Sequence, residues 1–214
     1  MARDGEAGAA AQKKTRHASE QDRPDVRAAR SEWHGLLEDV LLEDLVFLDE
    51  FGCATNMTRA YARGPVGERV VCKAPHGHWK TISTIAAMTT RGMLCCGTFH
   101  GATDMDTFVE YVRVLARHLR PGQVVVMDNL APHRSPRVDE LVEAAGAYVL
   151  RLPPYSPDLN PIEMAISKVK ALLKKLERRT VESLLSGIEA ALASVTELDA
   201  TNFIRHCGYG GTGR

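Results

Sequence analysis

Leu45-Val46-Phe47-Leu48 is an unbroken apolar run that stops at Asp49, and Val124-Val125-Val126-Met127 repeats the pattern and stops at Asp128. Short continuous apolar runs of this kind predict strands buried on both faces. Each would then present an acid at its C-terminal end. Between them "MTRAYARG" (57–64), "TISTIAAMTT" (81–90) and "MLCCGTFH" (93–100) read as further strands. Arg-Gly pairs at 63–64 and 91–92 mark turns, so the segment predicts an antiparallel meander.

Helical spacing takes over elsewhere. Residues 25–44 read as a helix, and Met105, Phe108, Val109, Val112 and Leu115 share one face of another. Thr103 three residues before Asp106 has the form of a capping box, which makes Asp104 and Asp106 first-turn acids rather than metal ligands. "SPRVDELVEAAG" (135–146) predicts a short helix and "AYVLRL" (147–152) a further strand. The resulting β-α-β-α-β series points to an α/β fold with a sheet of mixed direction.

Beyond it, Pro153, Pro154 and Pro157 forbid a helix and impose an extended loop. Asp158 or Asn160 is placed to cap the next helix, and Pro161 suits its first turn. On that helix Ile162, Ile166, Val169, Leu173 and Leu176 fall on one face, while Glu163, Ser167, Lys170 and Lys174 fall on another. Glu163 thus follows a rigid loop, at the edge of the apolar stripe and in line with two lysines.

Composition narrows the class. The chain has 214 residues, 44% of them hydrophobic and 25% charged, which suffices for one globular domain with extensions. Its apolar runs are strand-sized, far short of a bilayer span, and the first thirty residues lack the apolar core of a secretory signal. A cytoplasmic protein without membrane contact is expected. Five cysteines, Cys53, Cys72, Cys95, Cys96 and Cys207, show no zinc-type spacing and read as free buried thiols. "HGH" at 76–78 reads as loop. Net charge is zero, yet between Ala165 and Thr180 six basic residues (Lys168, Lys170, Lys174, Lys175, Arg178, Arg179) face one acid, Glu177. Such a stripe is either a solvated helix face or a phosphate contact. Residues 1–24, rich in Ala, Gly and charge, read as a disordered arm, and 210–214 as a flexible tail.

Asp49 and Asp128 at strand ends and Glu163 in a first helical turn can converge. A cluster of three carboxylates repels itself unless a divalent cation neutralises it, and Mg²⁺ prefers carboxylate oxygen. Two such ions would serve phosphoryl transfer, with the neighbouring lysines on phosphates.

"FLDEFG", "VMDNLAPHRS" and "LPPYSPDLNPIEMAISKVK", with 34 residues between Asp128 and Glu163, resemble the acidic triad of the mariner-type DDE transposases, in their bacterial insertion-sequence branch. The resemblance runs from about Gln21 to Tyr209. It implies a ribonuclease H-like fold over 45–209, dependence on two Mg²⁺ or Mn²⁺ ions, and DNA strand cleavage and transfer during DNA transposition. Asp49, Asp128 and Glu163 would be both catalytic and metal-binding. Asn129, His133, Asn160 and Pro161 match the active-site loops, Tyr155 and Ser156 shape the loop before the glutamate, and Lys168, Lys170, Lys174 and Lys175 would contact DNA. Partners implied are transposon ends, target DNA and a second copy on DNA, in the bacterial nucleoid.

Two departures stand out. Ile166 occupies a place where relatives often carry tryptophan, and the first aspartate arrives already at position 49, where longer relatives place helix-turn-helix modules before it. A catalytic half alone is therefore expected, as a truncated copy, the second frame of a split gene with a frameshift partner, or a fragment, with recognition of transposon ends either missing or supplied by a separate DNA-binding polypeptide. The alternatives are an idle DNA-binding or transposase-interfering remnant, or a ribonuclease H-like nuclease without transposition.

Overall fold

The computed structural model describes residues 19–210. Five strands form one mixed sheet: β1 (Leu45–Ala54), β2 (Thr81–Thr89), β3 (Gly92–His100), β4 (Val124–Met127) and β5 (Tyr148–Arg151), in the order β3-β2-β1-β4-β5. The first three are antiparallel, and β4 and β5 run parallel to β1. The apolar run of β2 is buried along almost its whole length because it lies between β1 and β3 with helices on both faces. Strand β3, at the edge, alternates between half-buried and exposed positions.

Among the described residues six α-helices complete the fold: α1 (Pro24–Trp33), α2 (Met105–Leu115), α3 (Pro136–Ala144), α4 (Ile162–Leu176), α5 (Val181–Ala193) and α6 (Glu197–His206). The alternation of strand side chains assigns them to two cores. Leu45, Phe47, Phe51 and Cys53 of β1 pack with α4, α5, α6 and Trp33 of α1. Val46 and Leu48 pack with α2 and α3 on the opposite face. Asp49 shares the parity of Phe47 and Phe51, and Asp128 that of Val126, so both project towards the α4 face.

Several expectations need correction. "MTRAYARG" is no strand: 55–80 carries no helix or strand, and Tyr61 is 91% exposed, with no apolar face to bury. Its neighbourhood is held by Arg179, whose Nη1 donates to the carbonyls of Thr55 (3.1 Å) and Met57 (2.8 Å). The helix expected over 25–44 ends at Trp33 and gives way to single 3₁₀ turns. Helix α2 is capped one residue later than the capping box implied, by Asp104, whose Oδ1 accepts from Thr107 N at 2.8 Å. Most of the arm and tail, 1–18 and 211–214, lie outside the described residues, but 19–22 of the arm form a 3₁₀ turn. Two thiols, Cys72 and Cys96, are exposed rather than buried. The Arg91-Gly92 turn holds: Gly92 has φ 107°, and a Cβ there would meet the Val195 carbonyl at 2.8 Å.

Helix α1 and the end of α6 converge on the loop before α4. Trp33 Nε1 donates to the Tyr209 hydroxyl (2.9 Å), which donates to the Leu159 carbonyl (2.6 Å). Arg30 grips Asp158 with both terminal nitrogens, at 2.9 and 2.6 Å, and Gln21 donates to the Tyr155 carbonyl at 2.6 Å. Tyr209→Phe keeps the ring but strands a buried indole N–H and a carbonyl. It is expected to cost about 1–3 kcal/mol in chemical denaturation. An unchanged midpoint would show that the hydroxyl bridges nothing of consequence.

Candidate active site

Strand β4 stops at Met127 while β1 continues to Ala54. Their parallel register pairs Phe47 with Val126; Asp49 lies two residues further along β1, and Asp128 just past the end of β4. Past Met127 the chain turns away, so the gap between the two strands opens into a cavity of about 430 Å³. Asp49, Asp128 and Glu163 all line it, together with Asn129 and Asn160.

The surroundings of each acid differ. Asp49 accepts from the Glu50 amide at Oδ1 (2.7 Å) and from Asn160 Nδ2 at Oδ2 (3.0 Å). Burial above all, with the charges of Glu163 and Asp128 acting the same way and the Glu50 amide bond opposing them, raises its carboxyl to about 7. Asp128 also loses solvent, but the His133 ring and the Leu130 amide (3.0 Å) bond its Oδ1 and hold it below the usual carboxylate range. Glu163 stands exposed in the first turn of α4.

The supporting residues are more specific than the sequence revealed. His133 is 1% exposed, its Nδ1 on Asp128 and its ring stacked on Phe108 at 4.0 Å between centroids. Arg151 Nη2 donates to the His133 carbonyl and to Asp139, each at 2.8 Å. Asn129 Nδ2 ties its loop to the Leu152 carbonyl at 2.9 Å. Asn160 caps no helix. Its side chain goes to Asp49, leaving Pro161 at the N-cap of α4 without a side-chain bond, while the Asn160 carbonyl accepts from Glu163 N (3.1 Å). Neither Phe108, Arg151 nor the α1 brace was singled out by the sequence, where they read as an ordinary apolar or charged position.

Among the basic residues, Lys168 does not present a free ammonium. It bonds Asp199 (2.6 Å) and the Ser194 carbonyl (2.9 Å), and so fastens α4 to α6. Lys170 lies 5.7 Å over the Phe51 ring, and Lys174 and Lys175 are exposed in the last turn.

The cavity offers oxygen ligands of the kind a hard cation takes: three carboxylates along its lining and an Asn160 Oδ1 that is buried without a hydrogen-bond partner. Among the described residues no group of three His, Cys, Asp or Glu stands close enough together to hold a metal ion. Mg²⁺ commonly takes only one or two carboxylates, with water and substrate phosphate filling its remaining positions.

A family model described as DDE superfamily endonuclease matches residues 44–185. No curated protein sequence matches the chain. Among solved structures, the Mos1 transposase paired-end complex with left transposon end superposes with TM-score 0.77 at 18% identity, over 94% of this chain and 64% of that one. The Mos1 strand transfer complex gives 0.72 at 18%, over 95% and 63%. The catalytic domain of Mos1 mariner transposase gives 0.62 at 14%, over 92% of each chain. The fold is ribonuclease H-like, and the chain spans less than two thirds of the two longer Mos1 chains.

A carboxyl raised in the folded state favours the protonated native form, so its contribution to stability is full below about 3.8 and is lost as pH rises towards about 7. In EDTA, Asp49→Asn is expected to remove this loss, melting above the parent at pH 8 and no higher at pH 4. Equal melting profiles for the two proteins would contradict a charge-strained Asp49.

Proposed function

Because the chain belongs to the DDE superfamily endonucleases, we propose that Asp49, Asp128 and Glu163 are its catalytic, metal-holding triad, and that this domain cuts and transfers DNA strands in transposition. The convergence of the three acids in one cavity, with Asp49 pushed up to about 7, carries the reading. The Mos1 paired-end complexes with Mg and with Mn, and the Mos1 strand transfer complex, support it. Mobile DNA of the insertion-sequence kind is the substrate the motifs favour, with two copies of the chain acting on paired ends.

The three acids would hold Mg²⁺ or Mn²⁺, two ions in all, which supply neutralising charge and activation of the attacking oxygen. In cleavage, a water oxygen bonds to phosphorus as the P–O3′ bond breaks, leaving a 3′-hydroxyl and a 5′-phosphate. In transfer, that 3′-oxygen bonds to a target phosphorus and displaces the target's own 3′-oxygen, so the number of phosphodiester bonds is unchanged. Asn160 fixes the orientation of Asp49, and His133 that of Asp128. Lys170 and Lys174 lie on the helix face of Glu163, and Lys175 is exposed in the same last turn as Lys174. A rise of 1.5 Å per residue puts Lys170 about 10 Å along the axis, where strand phosphates would run.

The test is nicking of supercoiled plasmid in Mg²⁺ or Mn²⁺, followed by joining of a labelled 3′-hydroxyl end. Asp128→Ala is expected to abolish both. Nicking that survives this change would remove the triad from the chemistry, and nicking without joining would leave a nuclease. His133→Ala is expected to lower activity about 10–100-fold, as loss of a ligand-orienting partner does. His133→Asn, whose amide can still reach Oδ1, should recover part of it. Equal loss in the two variants would reduce His133 to packing.

A further inference from the structure

The cavity has a second feature that the triad does not use. Tyr155, on its rim, is 47% exposed and has φ 56°, a left-handed conformation that favours glycine. The backbone is pinned there. Its carbonyl accepts from Gln21, the Pro154 carbonyl accepts from Ser156 Oγ (3.0 Å), and prolines stand at 153, 154 and 157. The chain thus holds a large ring out at the mouth of the cavity in a conformation that a ring-free residue would adopt more easily. Among the described residues that ring stacks on no other ring.

Two further groups line the same cavity. Leu130 is 55% exposed, although it sits between the Asp128 carboxylate it bonds and a 3₁₀ turn. Arg134 is exposed and is held through Nε by the Asn129 carbonyl at 2.8 Å. An aromatic face, an aliphatic side chain and a guanidinium around one opening are the groups that take a base, its edge and its phosphate.

We infer that Tyr155, Leu130 and Arg134 form a nucleotide subsite at the mouth of the cavity, in which a base flanking the scissile phosphate stacks on the Tyr155 ring. This rests on the proposed action on DNA, and it adds how the strand is registered before the acids. Stacking on an aromatic face requires no particular base, so the subsite fixes position without reading sequence. A base must leave its own stack to reach the ring, and a mispaired base does so at less cost.

The probe is a nicked duplex oligonucleotide carrying 2-aminopurine beside the nick, bound by the full chain with Ca²⁺ in place of Mg²⁺. Tyr155→Phe keeps the ring, Tyr155→Leu keeps bulk without it, and Tyr155→Gly relaxes the backbone as well. The parent and the Phe variant are expected to quench the fluorophore and to bind more tightly when it is mispaired. The Leu and Gly variants should lose the quench and bind about tenfold more weakly, with the Gly variant melting no lower than the parent. Plasmid nicking by the same samples separates the two readings. A parent that nicks while Leu and parent quench and bind alike overturns the subsite and leaves the triad standing. A parent that quenches through Tyr155 without nicking supports the subsite and sinks the catalytic reading. A parent that neither nicks nor binds overturns both.

Discussion

Burial of the Asp49 carboxyl beside two other acids is the constraint around which this end of the molecule is organised. Asp49 within β1 and Asp128 just past the end of β4 line one cavity, and α4 brings Glu163 into it. Two donors are committed to Asp49 and two groups to Asp128: the Glu50 amide and Asn160 on one, the Leu130 amide and His133 on the other. They do not relieve Asp49, whose carboxyl stays near 7 because burial and like charge outweigh them. A fold that tolerates such a cluster gives up stability at the point where its chemistry is done.

Much of the frame was legible because it is periodic. The apolar runs at 45–48 and 124–127 became β1 and β4, and the two-faced pattern after Pro161 became α4. Glu163 could be placed from that pattern alone. Alternation misled at 57–64, since Met57, Ala60 and Tyr61 have the spacing of neither element and no partner strand lies beside them. Tertiary partners were out of reach for a different reason. Lys168 is taken by Asp199, 31 residues on, and His133 by the face of Phe108, 25 residues before it. Nothing local in the chain distinguishes a lysine that meets phosphate from one that meets a helix, or a loop histidine from a buried one.

Asn160 shows how local and global demands compete. By residue type it should cap α4, and capping typically contributes about 1 kcal/mol. Its amide instead reaches 111 residues back to Asp49, and α4 begins without a side-chain cap. The helix is therefore not positioned by its own N-terminus. Ile162, Ala165, Ile166 and Val169 are all buried in the core on that face of the sheet, and their packing sets the rotation that leaves Glu163 in the cavity. Ile166 stands where relatives often carry tryptophan, yet it is 5% exposed within that core and keeps the helix seated.

What packing does for the helix, α1 does for the loop before it. Three contacts, from Gln21, Arg30 and Trp33 through Tyr209, reach Tyr155, Asp158 and Leu159 in turn. Gln21, Arg30 and Trp33 precede residue 44, where the family match begins, and Tyr209 follows residue 185, where it ends. The loop carries three prolines and a tyrosine in a left-handed conformation, so its shape is stiff but not self-supporting. Stiffness limits the number of shapes it can take, and the brace selects among them. A displacement of α1 would move the loop at Asp158 and, through Tyr209, at Leu159 without touching the triad, and Asn160, at the loop's end, would carry that movement to Asp49. The geometry of the acids is thus set from outside the segment that contains them.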